Sequence, residues 1–120
     1  MGLLIKITIV KSAQFSLKKK IGKRACLIRQ DNDDRIVINK ANYKIGKSAE
    51  MCDYAITDNK TISRVHAEIL LKNNQVYVVD KKSTNKTYVN GNLVQSEVPT
   101  LIKNGDEIKF SNVCFLLSIE

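Results

Sequence analysis

The sequence predicts an all-β fold, a sandwich or barrel of about eleven short strands, preceded by a basic N-terminal extension. Three observations carry this. Short runs rich in Ile, Val, Tyr and Phe recur between clusters of Asn, Asp, Gly, Ser and Lys. No stretch longer than ten residues shows the 3.6-residue apolar period of a helix. The chain has 120 residues, 43% hydrophobic and 27% charged, which suits one folded domain and excludes wholesale disorder.

Taken in order, residues 1–24 form the extension. They hold Lys6, Lys11, Lys18, Lys19, Lys20, Lys23 and Arg24 and no acid. Ile5, Ile7 and Ile9 alternate with Lys6 and Thr8, the pattern of a half-buried strand, so this segment is either an added edge strand or the end of a preceding domain. Residues 25–120 are the domain. Strands are expected at 26–29, 35–38, 43–46, 54–57, 66–71, 75–80, 87–89, 92–94, 100–102, 107–110 and 113–119. The breaks between them carry turn chemistry: residues 30–34, Asn73-Asn74, Asn90-Gly91 and Asn104-Gly105-Asp106. Asn-Gly between β-forming residues supplies the positive φ of a tight hairpin.

The net charge of +8 points to a polyanionic partner: nucleic acid, an anionic membrane or a phosphorylated protein. Its distribution narrows this. The extension carries seven of the eight surplus charges; the rest of the chain has 13 basic against 12 acidic groups. The apolar run of residues 3–10 is far short of the ~20 residues that span a bilayer, and it lacks the flanks of a signal peptide. Cys26, Cys52 and Cys114 are odd in number and show no CxxC spacing, which fits a reducing, cytoplasmic setting.

One ordered series of polar clusters falls where the strands break. Gly46-Lys47 follows Tyr43-Lys44-Ile45. Ser63-Arg64-Val65-His66 begins sixteen residues after Lys47. The stretch from Asp80 to Gly91 contains Ser83-Thr84-Asn85-Lys86-Thr87 and Asn90-Gly91, and Asn104-Gly105-Asp106 precedes the last strands. In a sandwich, alternate loops gather at one end, where a rigid scaffold presents them. A phosphothreonine brings about −1.5 to −2 charge and strong acceptor oxygens. Lys47, Arg64, Ser63 and Asn85 are the cations, hydroxyl and amide that such a group needs.

The series resembles the forkhead-associated (FHA) domain, from about Cys26 to Ile119 and most densely between Ile45 and Phe110. The resemblance implies a two-sheet β-sandwich that binds phosphothreonine peptides and is not an enzyme. By that resemblance, Lys47 contacts the phosphate where the family usually has Arg, Ser63 hydrogen-bonds a phosphate oxygen and Arg64 adds a second cation. Thr84 shapes the site, and Asn85 pairs with the peptide backbone. Gly46 allows a tight turn and His66 braces the binding loops. Two departures stand out. Lys47 lacks the planar fork of Arg. Lys86 stands where the family usually has Gly, which costs of order 1 kcal/mol if the position needs φ > 0. The pair Lys81-Lys82 is placed to attract acidic peptides.

Other chemistry has weaker support. His66 is the only histidine and no Cys lies at ligand spacing, so neither a metal nor a cofactor is expected. Ser63 and His66 in one strand point to opposite faces, which argues against a nucleophile–base pair. The partners implied are a Thr-phosphorylated protein or peptide and, upstream, a Ser/Thr kinase. Two rivals remain: a phospho-independent scaffold with a decayed site, and non-specific polyanion binding through residues 6–24, without base-specific recognition of nucleic acid. Abundant Lys, Ile and Asn, with the abrupt start, suggest a piece of a bacterial multidomain protein.

Overall fold

A computed structural model describes residues 24–120. The Ile5, Ile7, Ile9 strand pattern and the lysines at 18–20 lie outside the described residues. Eleven strands form: β1 (Ala25–Arg29), β2 (Arg35–Val37), β3 (Asn42–Gly46), β4 (Tyr54–Ala55), β5 (Ala67–Lys72), β6 (Gln75–Asp80), β7 (Thr87–Val89), β8 (Asn92–Leu93), β9 (Thr100–Ile102), β10 (Glu107–Phe110) and β11 (Val113–Ile119). They match the sequence expectation closely, with end shifts of one or two residues. The fourth is shorter than expected, and the fifth starts at Ala67 instead of His66.

The strands make two sheets. One has the order β2-β1-β11-β10-β7-β8 and the other β4-β3-β5-β6-β9. Every pair is antiparallel except β3 with β4, where Ile45 stands opposite Tyr54 and Gly46 opposite Ala55. Asp53 makes that exception work. Its N–H donates to the Lys44 carbonyl at 2.8 Å. Its carboxylate accepts from the Lys44 N–H at 2.8 Å and from Lys40 Nζ at 2.8 Å. The chain is thereby returned to the middle of β3 after leaving its end.

Side-chain alternation builds the core. Leu27, Ile108, Phe110, Phe115 and Leu117 face inward from one sheet, and Ile45, Ile69, Val78 and Ile102 from the other; all are at most 2% exposed. Each such side chain contributes roughly 1.5–3 kcal/mol on burial. Phe110 and Phe115 pack tilted with centroids 5.4 Å apart, and the edge of Tyr54 meets Phe115 at 6.2 Å. The two Asn-containing hairpins have both central residues at positive φ, Asn73 (54°) with Asn74 (62°) and Asn90 (51°) with Gly91 (83°). This twist matches that of the flanking strands.

The loops sort to two ends. Residues 30–34, 47–53, 56–66, 81–86 and 111–112 begin or end together at one of them, the end where β1, β3, β6 and β10 finish. Among the described residues, no helix is long and apolar enough to cross a membrane.

Candidate functional site

The site begins where β3 runs past its partner. Beyond Ile45, the backbone keeps close to the segment that leads into β5. His66 N–H donates to the Ile45 carbonyl at 2.9 Å, Lys47 N–H to the Ser63 carbonyl at 2.9 Å and Ser48 N–H to the Arg64 carbonyl at 3.1 Å. Lys47 and the Ser63-Arg64 pair are therefore fixed side by side by main-chain bonds. Gly46 is what lets them approach. A Cβ there would lie 2.2 Å from the Arg64 carbonyl oxygen and 2.9 Å from the His66 nitrogen. Gly46 ends β3 without a positive φ. The residue is thus required by close backbone approach, and the turn expected from sequence is corrected on that point.

The loop of residues 81–86 is tied to the same segment. Thr84 N–H donates to Ser63 Oγ at 3.1 Å. Ser63 Oγ accepts this bond, and its own proton has no acceptor among the described residues. Asn85 Nδ2 donates to the Thr61 carbonyl at 2.8 Å. That uses one of the amide's two hydrogens and leaves Oδ1 without a partner among the described residues. Lys47, Arg64, Thr84 and Asn85 are exposed, and Ser63 is half-buried. Neither Lys47 nor Arg64 makes a side-chain ion pair or hydrogen bond among the described residues. Lys81, by contrast, is engaged: its Nζ donates to Glu97 Oε1 at 2.9 Å, a bond that raises its pKa. Of the Lys81-Lys82 pair, one cation is already neutralised.

His66 sits beneath these loops and is fully buried. Ser63 N–H donates to Nδ1 at 3.1 Å, so Nε2 carries the proton and donates it to the Lys86 carbonyl at 2.8 Å. Burial pushes the imidazole pKa below 6.5, against smaller opposing effects of the Lys86 carbonyl and Asp80, and keeps the ring neutral. The ring meets Phe110 edge-on at 5.8 Å. Ser63 and His66 are therefore in contact through backbone and ring in an irregular turn, and do not occupy opposite faces of one strand as expected. The hydroxyl of Ser63 is not the group that Nδ1 accepts from, so no nucleophile–base pair forms.

Lys86 adopts φ 72°. Its carbonyl accepts from both His66 Nε2 and the Ser111 N–H (2.9 Å), and the left-handed backbone aims it at both donors. A lysine in this conformation carries strain of about 1–2 kcal/mol.

Several residues that organise the site were not singled out from sequence. Asp80 is 1% exposed. Its Oδ1 accepts from Thr87 Oγ1 at 2.7 Å and from Ser83 Oγ, and its Oδ2 from the Ser83 N–H at 3.2 Å. Burial alone raises its pKa, but these bonds outweigh that and hold the carboxyl below the usual carboxylate value. The available signal was an acid ending an apolar strand with Ser three residues on, the pattern of a side chain capping a turn. Thr61 is the second. Its Oγ1 donates to Asn59 Oδ1 at 2.6 Å and accepts from Ser111 Oγ at 2.7 Å.

A two-sheet β-sandwich that presents two cations unpaired among the described residues, a hydroxyl and an amide from three adjoining loops has the architecture of a peptide-recognition module. The FHA domain family model matches residues 43–111, and the chain belongs to the FHA family. Over 52 residues, or 43% of its length, the chain is 50% identical to the glycogen accumulation regulator GarA of Mycobacterium tuberculosis; it spans about 30% of the length of the curated relatives it matches first. Among solved structures, it superposes on Mycobacterium tuberculosis EmbR in complex with a low-affinity phosphopeptide. The TM-score is 0.73 and the identity 22%, covering 79% of this chain and 24% of EmbR, a likeness of fold. It also superposes on the MEK1 FHA domain in complex with the HOP1 pThr318 peptide, with a TM-score of 0.68 and 29% identity, covering 80% of this chain and 96% of that one.

Proposed function

We propose that residues 25–120 are a phosphothreonine-dependent peptide-binding module, with no catalytic role of its own, in Ser/Thr kinase signalling. The observation that carries the reading is the convergence of Lys47, Ser63, Arg64 and Thr84. Main-chain bonds align Lys47 with Ser63 and Arg64, and the Thr84 N–H holds Ser63 Oγ. Two exposed cations and a hydroxyl are thereby carried on adjoining segments, the chemical types that the oxygens of a phosphate need. Asn85 stands beside Thr84 on the 81–86 loop with its Oδ1 unpartnered among the described residues, so that a peptide N–H is read beside the phosphate and free phosphate binds less well. The bound phosphopeptides of the two structural neighbours agree with this use of the fold.

A charge-assisted hydrogen bond contributes ~1.5–3 kcal/mol net. Three or four of these, reduced by the ordering of the peptide, give affinity of about −8 kcal/mol, or roughly micromolar. The partner is a Thr-phosphorylated protein made by a Ser/Thr kinase. Three free thiols, Cys26, Cys52 and Cys114, support a cytoplasmic setting. A fluorescence-anisotropy screen against a phosphothreonine peptide library tests the reading: binding of phosphorylated peptides only supports it, and equal binding of the unphosphorylated versions refutes it.

A further inference from the structure

Arg29 ends β1 in an otherwise apolar strand and is 4% exposed, an unusual place for a guanidinium. Its charge is matched from two loops. Nη2 donates to Asp58 Oδ1 (2.9 Å) and Oδ2 (3.1 Å) and to Asp31 Oδ2 (3.2 Å). Nε lies 2.7 Å from Asp31 Oδ1, off line for a hydrogen bond. Nη1 donates to Tyr54 Oη at 3.3 Å, and Tyr54 donates on to Asp34 at 2.8 Å. Burial lowers the guanidinium pKa, but these partners together raise it further, so the charge persists at any working pH.

What this buried cation holds is the loop carrying Asp58. Three residues on, the Thr61 carbonyl takes the hydrogen bond from Asn85 Nδ2. Between them, Asn59 Oδ1 caps the Thr61 N–H at 2.9 Å, while Asn59 Nδ2 donates to Asn112 Oδ1 at 2.7 Å. The loop is thus anchored at Asp58 by Arg29 and at 59–61 by the 111–112 turn. Asn85, in turn, is oriented by what the loop offers it.

We infer that the Arg29–Asp58 pair is a positioning device for Asn85: it fixes the Thr61 carbonyl and so sets the amide that reads the peptide main chain, without touching the ligand. This rests on the phosphopeptide reading above. It predicts a selective defect. Disrupting the pair weakens recognition of the peptide chain and spares recognition of the phosphate, because Lys47, Ser63 and Arg64 are held by different bonds.

The test uses Asp58→Asn, an exposed change (65% side-chain exposure) that leaves Arg29 its Asp31 and Tyr54 contacts. The measurements are the dissociation constants of a phosphothreonine peptide and of the amino acid O-phosphothreonine for wild type, Asp58→Asn, Asn85→Ala and the double variant. Asp58→Asn is expected to weaken the peptide about fivefold, one hydrogen bond's worth, and leave O-phosphothreonine unchanged. The double variant should bind no more weakly than Asn85→Ala alone. Additive losses, an equal loss with O-phosphothreonine, or no loss would each overturn the inference. Failure of the wild-type chain to bind any phosphopeptide would refute the functional reading itself. A ligand-free measurement keeps the two separate: hydrogen exchange of the Asn85 side-chain amide should be faster in Asp58→Asn, and an unchanged rate would overturn the positioning role whatever the ligand.

Discussion

His66 Nε2 lies 2.8 Å from the carbonyl oxygen of Lys86, and through this bond the turn before β5 and the loop before β7 are held to one buried ring. The same carbonyl takes the Ser111 N–H, so a single oxygen joins three segments. To present it, Lys86 adopts the left-handed backbone at φ 72°.

Lys86→Gly should therefore stabilise the fold. Glycine removes strain of about 1–2 kcal/mol, offset in part by its larger freedom in the unfolded chain. A net gain of about 0.5–1 kcal/mol raises Tm by roughly 2–8 °C for a domain of this size. Differential scanning calorimetry checks this, and a lower Tm would contradict the strain argument.

The neutral His66 makes stability depend on pH. Its folded pKa lies below 6.5, so in the unfolded chain it takes up a proton that the native state refuses. Stability is complete above about pH 6.5 and falls as pH drops toward the folded pKa, by at most about 1.4 kcal/mol per pH unit. Asp58 and Asp80 titrate below their usual 3.8 and lose their contribution only at lower pH. Urea denaturation at pH 7.5 and 5.5 should show the loss in wild type and a smaller one in His66→Gln. Equal losses in the two proteins would show that another group is responsible.

Gly46→Ala should be strongly unfavourable. The added methyl would sit 2.2 Å from the Arg64 carbonyl oxygen, a backbone atom with no rotamer to escape into. Overpacking of this kind costs roughly 1–3 kcal/mol. The strain falls on the Lys47–Ser63 alignment, so phosphopeptide affinity should drop with Tm. A variant with wild-type Tm and affinity would show that the close approach is not needed.

How much of this was legible beforehand follows from the range of each signal. The strands were, because the two-residue alternation in runs such as Val76 to Val79 is local and every residue reports it. The Lys47, Ser63 and Asn85 clusters were visible because each interrupts a strand. The partner of Arg29 was not: Asp58 is 29 residues away, and in the chain Arg29 reads as the polar end of a strand. The reason for Gly46 was also hidden, since a glycine for close approach and a glycine for a turn look identical in sequence, and only the position of Arg64 distinguishes them. Asp80 was similar: its role lies in Ser83 and Thr87 folding back onto it.

Lys47 offers a graded test of the phosphate contact. Lys47→Ala should weaken a phosphothreonine peptide by about tenfold, the loss of one charge-assisted bond. Lys47→Arg should tighten it, since a planar fork replaces a point charge. Isothermal titration calorimetry at one fixed salt concentration compares the three. Equal affinities would place the phosphate elsewhere.

The most direct test of the central claim is a two-dimensional amide NMR titration of the uniformly labelled chain with a phosphothreonine peptide and its unphosphorylated twin. With the phosphopeptide, the largest shift changes should fall on Lys47, Ser63, Arg64, Thr84 and Asn85, and the unphosphorylated peptide should leave them unmoved. Shifts centred on the opposite end, around the 73–74 and 103–106 turns, or the same shifts with both peptides, would contradict it.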